Sequence, residues 1–162
     1  ISHVLMKSVT TSKIRGSSSR IPRKACVSDV GEHNTDGMQP LSLAFVGDAV
    51  YSVYVRSHLL VESPHLKPDA IHQAANRMVK ASAQAEALDH LRKHVLTEEE
   101  WDIARKARNK SSATRAKNAS IKDYRNASGL EALIGHLHLK GEKARLDELM
   151  HIILKSGRDR DE

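Results

Sequence analysis

Leu43-Ala44-Phe45-Val46-Gly47-Asp48-Ala49-Val50-Tyr51 sets one carboxylate, Asp48, and one glycine, Gly47, inside an otherwise apolar run. Working outward, Leu43, Val46, Val50, Val53 and Tyr54 recur at intervals of three and four, which predicts a long amphipathic helix over residues 41–60 with its apolar stripe on those side chains. The same period continues to about Leu154. Pro68 and Asp69 suit a first helical turn, with Ile71, Ala75, Met78 and Val79 on one face and Ala85, Leu88, Leu91 and Val95 following. Thr97 with Glu98, Glu99 and Glu100 makes a capping-box start for a helix through roughly Arg108. The polar run from Asn109 to Ala119 reads as a loop. Ser120 with Asp123 opens another helix bearing Ala127, Leu130, Leu133, Ile134 and Leu137, and Gly141 is suited to stop it. A last helix carries Leu146, Leu149 and Ile153 and ends near Gly157. No alternating strand pattern competes, and no internal repeat is present. The expected fold class is all-α.

Composition agrees. The chain has 162 residues, 40% of them apolar, enough for one domain with an extension. The five aromatics, Phe45, Tyr51, Tyr54, Trp101 and Tyr124, leave a core to be built from Leu, Ile, Val and Ala, which favours helices over a β-sandwich. A single cysteine, Cys26, excludes an intrachain disulfide and a multi-thiolate zinc site, and no apolar run is long enough to span a membrane. No membrane partner is expected.

The net charge of +6 is unevenly spread. Residues 1–28 hold Lys7, Lys13, Arg15, Arg20, Arg23 and Lys24 and no acid; removing those six from the 26 basic residues leaves 20, equal to the 20 acids. The organisation expected is therefore a disordered basic extension over 1–39, a domain over 40–155 and a charged tail over 156–162. The Ser/Thr-rich, acid-poor extension suits an organelle-import remnant, and a plain basic tail fits the same composition. Within the neutral part, Arg105, Lys106, Arg108, Lys110, Arg115, Lys117, Lys122 and Arg125 face the single acid Asp123 across residues 105–125. Together with Asn109, Ser111, Ser112, Thr114 and Asn118, that stretch suits contact with phosphates and 2′-hydroxyls, and it equally suits a solvated basic loop.

Two acids are out of place. Asp48 lies among Phe45, Val46, Gly47, Ala49 and Val50, and Glu131 among Gly129, Leu130, Ala132, Leu133 and Ile134. A carboxylate so surrounded needs a cation, a hydrogen-bond partner or a proton. If the two helices pack, with Gly47 and Gly135 permitting close approach, the two acids could share one hard cation, for which Mg²⁺ is suited by its preference for oxygen ligands. An acid beside an apolar stripe is also an ordinary surface residue, and spacing cannot establish contact between positions so far apart.

The run from Leu43 to Tyr51 resembles the signature helix of the ribonuclease III endonuclease domain, and Leu130-Glu131-Ala132-Leu133-Ile134-Gly135-His136-Leu137 resembles its second acidic helix. Tyr51 to Leu60, Lys67-Pro68, the Arg108-Asn109 to Lys117-Asn118 loop and Tyr124-Arg125 resemble the mini-ribonuclease III branch, which has no double-stranded-RNA-binding domain. The likeness runs from 41 to about 154. Larger relatives use four carboxylates; here Leu41, Ala44 and Ser128 stand where acids would be expected, a reduction the mini branch shares. Ser52 replaces a Glu common in that branch, and Ala113 and Ala116 replace Gly and Pro.

The resemblance implies a Mg²⁺-dependent endoribonuclease, with Mn²⁺ as a substitute, that cuts double-stranded or structured RNA as a homodimer and leaves 5′-phosphate and 3′-hydroxyl ends. It implies Asp48 and Glu131 as catalytic residues and metal ligands, and Arg108, Asn109, Lys110, Ser112, Thr114, Arg115, Lys117 and Asn118 as RNA-binding residues. Precursor ribosomal RNA or intron RNA would be the substrate, and the extension would direct a plant member to the chloroplast stroma. The competing expectation is an inactive RNA-binding or ribosome-associated protein of the same fold. His90 and His94 have the i, i+4 spacing of zinc ligands but no third partner, and His72, His136 and His138 read as packing or RNA-proximal residues.

Overall fold

A computed structural model describes residues 32–112 and 120–158. Six helices run in order through them: α1 Pro40–Glu62, α2 Pro68–Met78, α3 Ala81–His94, α4 Glu98–Lys110, α5 Ile121–Leu139 and α6 Lys143–Arg158. There is no strand among the described residues. None of these helices is long and apolar enough to cross a membrane.

Local chemistry places the ends. Pro68 stands in the first turn of α2, where its missing N–H is no loss. Thr97 Oγ1 accepts from Glu100 N and Glu100 Oε2 accepts from Thr97 N, completing the capping box of α4. The Ser120 hydroxyl accepts from Asp123 N at the start of α5. Gly141, at φ +73°, turns the chain out of α5; its N–H donates to His138 O and that of Glu142 to Leu137 O, the paired closure that favours glycine.

Helix α5 is the axis. From Asn126 to Leu137 almost every side chain is buried, and the helix packs against α1, α3 and α4. A helix covered on nearly every side belongs in the middle of a bundle, and its few polar groups there need partners. Leu130, Leu133, Ile134 and Leu137 meet Leu88 and Leu91 of α3 and Leu149, Met150 and Ile153 of α6 in the main core.

The apolar stripe expected on α1 requires correction. Its buried face is Leu43, Ala44, Gly47, Tyr51 and Val55, whereas Val46 and Val50 are half-buried and Val53 is 62% exposed. Because α1 is apolar on several sides, its period alone does not choose a face. Ala44 and Gly47 choose it, since small side chains admit the closest approach to α5. The expectation that nothing before residue 40 joins the domain also changes: Thr35 is buried, its hydroxyl hydrogen-bonds His136 Nδ1 at 2.8 Å, and His33 N–H donates to Leu139 O. The loop expected from Asn109 starts two residues later, because α4 runs to Lys110.

Arg145 of α6 ties three helices together. Its guanidinium donates to both Glu100 oxygens, at 2.8 and 2.9 Å, and to Val95 O at the end of α3. The Arg145 hydrogen bonds hold the Glu100 carboxyl below its usual pKa. A carboxyl with a lowered folded-state pKa contributes stability above its unfolded value, and that contribution is lost as pH falls through the folded one. Arg145→Met is therefore expected to lower the urea midpoint at pH 7 and to lose most of that deficit by about pH 3. A deficit constant across that range would show that Arg145 acts by packing alone.

Candidate active site

The site is built where α1 crosses α5. A Cβ placed on Gly47 would lie 1.7 Å from Glu131 O, and one on Gly135 2.0 Å from Leu43 O. The two backbones are therefore in direct contact, and both positions must be glycine. Asp48 and Glu131 follow from that crossing, one residue beyond Gly47 and one turn before Gly135. They line one cavity of about 400 Å³ with Leu41, Ala44, Phe45, Ser112, Tyr124 and Ser128. Leu41, Ala44 and Ser128, the positions where larger relatives were expected to carry acids, are thus grouped around the two acids that remain.

Asp48 is exposed, whereas Glu131 is half-buried. Burial, first, and the neighbouring Asp48 charge, second, push the Glu131 carboxyl up to about 8, against a smaller lowering by the Gln84 side chain. Among the described residues that line the cavity there is no Lys or Arg. Gln84, 2% exposed on α3, presents its carboxamide to Glu131, but among the described residues its Nε2 completes no hydrogen bond of normal length and angle. Gln84 is not among the residues expected at the site; its spacing with Leu88 and Leu91, at i, i+4 and i+7, is the sign in the sequence that it faces inward. No cluster of three or more His, Cys, Asp or Glu occurs among the described residues, so His90 and His94, whose rings lie 5.1 Å apart on exposed α3 positions, acquire no third partner there.

The expected RNA-binding residues divide. Asn109 and Lys110 are exposed in the last turn of α4, and Ser112 borders the acidic cavity. Thr114, Arg115, Lys117 and Asn118 lie outside the described residues. Arg108 points inward: its Nε donates to Asn126 Oδ1, its guanidinium lies 5.4 Å from the Trp101 ring centre, and its stem packs at Gly129. Asn126 is itself 2% exposed. Arg108→Ala is expected to cost about 2 kcal/mol in denaturant unfolding, since it orphans a buried amide, and to leave RNA affinity nearly intact. A variant of parental stability that binds RNA poorly would return Arg108 to the RNA face. Beside it, the Ser128 hydroxyl donates to Tyr124 O and lies 3.1 Å from Ser111 Oγ, linking the end of α4 to α5.

Fold and site together define a helical domain with an acidic pair suited to a hard cation. Residues 41–142 match the ribonuclease III domain model. The chain is 49% identical over 111 residues to the mini-ribonuclease 3 of Brevibacillus brevis, covering 68% of this chain and 81% of that protein. It is 40% identical over 117 residues to the mini-ribonuclease 3 of Clostridium tetani, covering 72% and 77%. A crystal structure of a protein from Fusobacterium nucleatum superposes with a TM-score of 0.67 at 24% identity, over 75% of this chain and 96% of that one, a likeness of fold. The chain belongs to the mini-ribonuclease 3 branch of the ribonuclease III family and is an endoribonuclease.

Proposed function

We propose that the enzyme is a divalent-metal-dependent hydrolase of double-stranded RNA that works as a homodimer and leaves 5′-phosphate and 3′-hydroxyl ends. The observation that carries this reading is the meeting of Asp48 and Glu131 on one cavity beside the Gly47–Gly135 crossing, with no basic residue among the described residues that line it. Their oxygens fit Mg²⁺, or Mn²⁺ in its place, with the remaining positions left to water and a phosphate oxygen. Such an ion, when bound, would supply the positive charge that a phosphodiester under attack requires and would ease deprotonation of water. The protein's share is placement. Asp48 lines the cavity from an exposed position and Glu131 from a half-buried one, and Lys110 and Ser112 lie where α4 ends beside it. Lys110 is suited to a backbone phosphate and the Ser112 hydroxyl to a sugar or phosphate oxygen.

One domain carries one acidic pair, whereas a duplex has two strands to cut. The exposed face of α1 offers the second copy a surface, because Leu41, Phe45, Val53 and Leu60 lie on one side of it at 44, 82, 62 and 53% exposure. Phe45→Glu is expected to give a monomer in sedimentation and to lose double-strand cleavage; a dimeric variant that still cuts both strands would remove this face from the interface. For the metal, duplex RNA with and without Mg²⁺, followed by end analysis, is decisive. Undiminished cleavage in EDTA would end the metal reading, and 3′-phosphate ends would end the proposed direction of hydrolysis. Precursor ribosomal or intron RNA in the plastid stroma is the biological setting we propose, supported by the acid-free basic composition of residues 1–28. Residues 1–39 fused to a fluorescent reporter should enter plastids, and a diffuse cytosolic signal would count against it.

A further inference from the structure

A buried amide that completes no hydrogen bond is costly, on the order of 1–3 kcal/mol, and such groups concentrate where function requires them. Gln84 is one: it lies on the inner face of α3, is 2% exposed, and among the described residues its Nε2 meets no acceptor at normal hydrogen-bond geometry. A leucine or methionine there would continue the stripe of Leu88 and Leu91 without that cost. The carboxamide lies beside the Glu131 carboxyl, on the side of α5 that packs against α3.

We infer that Gln84 is a positioning residue of the endoribonuclease, whose carboxamide holds the Glu131 carboxylate in its metal-binding orientation. The inference rests on the assignment of Glu131 to the site. The geometry suits the part. Glu131 lines the cavity from α5, with the α1 backbone against its own carbonyl oxygen, so α3 is the element that can fix its side chain from behind. Were Glu131 to hold a cation as a carboxylate, the Gln84 carboxamide would be a donor for it, and an N–H donated to a carboxylate is stronger than a neutral hydrogen bond. Metal-bound carboxylates are commonly oriented by such outer donors, whose loss weakens metal binding or activity about 10–100-fold.

A structural role and a positioning role predict opposite outcomes for Gln84→Met, which preserves length and volume and removes the donor. As a positioning residue, Gln84 can be replaced with the melting temperature unchanged or raised, while kcat on duplex RNA falls about 10–100-fold, KM stays near the parent's and Mg²⁺ binding by calorimetry weakens by a similar factor. Gln84→Glu, which sets a third carboxylate beside the pair, should be as inactive. Glu131→Gln runs alongside. If Glu131→Gln is inactive and Gln84→Met cuts and binds Mg²⁺ as the parent does, the inference falls and the site stands. If both variants cut normally, the site itself is wrong. A Gln84→Met protein with a lowered melting temperature and parental Mg²⁺ affinity would make Gln84 a packing residue and overturn the inference.

Discussion

Glu131→Gln is expected to lower cleavage roughly 10³-fold, the several kcal/mol that a metal-held phosphate contributes, and at the same time to stabilise the fold. The two effects share one cause. The Glu131 carboxyl, pushed up to about 8 by burial and by Asp48, is largely protonated in the folded protein at pH 7, whereas the unfolded chain ionises it near the ordinary value of 4.5. A carboxyl with a raised folded-state pKa costs stability that is absent below the unfolded pKa and grows as pH rises toward the folded one. At pH 7 the cost is about 3 kcal/mol, which a neutral Gln of equal shape avoids. Urea unfolding of parent and variant should coincide near pH 4 and separate steadily between pH 5 and 8. Mg²⁺ should stabilise the parent and leave the variant unmoved. Asp48→Asn should also stop cleavage, with a smaller gain in stability, since Asp48 is exposed and its charge is the lesser of the two causes. Cleavage by either variant near the parental rate would remove the pair from the reaction.

Gly47→Ala is the substitution with the largest expected effect on folding. The added Cβ meets the Glu131 carbonyl oxygen at 1.7 Å, its carbon at 2.6 Å and Gly135 N at 2.9 Å, all backbone atoms that no rotamer change can move. The helices must separate, at a cost of about 3 kcal/mol or more, a large share of the stability of a domain this size. Gly135→Ala should match it, with Leu43 O at 2.0 Å. The double variant should be little worse than either single one, because the first Cβ opens the space that the second occupies. Ser42→Ala, on the exposed side of α1, is the control and should be nearly neutral. A Gly47→Ala protein melting with the parent would mean that α1 and α5 do not cross at these glycines.

The helix ends were legible in the sequence because their chemistry is local. Thr97 reaches Glu100, Ser120 reaches Asp123, and Gly141 closes on His138, all within a turn or so of chain. Asp48 and Glu131 were visible for a related reason: an acid in an apolar run is anomalous wherever the run ends up, and Gly47 and Gly135 marked where two helices could touch. What the sequence left open was everything decided by a partner distant in the chain. It could not choose the face of α1, since several of its faces are apolar and only the fit of Ala44 and Gly47 against α5 selects one. Composition set Arg108 among phosphate-binding residues; Asn126 and Trp101 draw it inward. Thr35 read as part of a tail until His136 supplied its hydrogen bond. Gln84 was one polar residue among alanines, and only the packing of α3 on α5 brings it to Glu131. Residue type and spacing determined the helices and the reactive groups they carry, because those depend on neighbours three or four positions away. Tertiary packing alone decided which groups meet, because burial, and with it the charge state of Glu131, is a property of the assembled bundle.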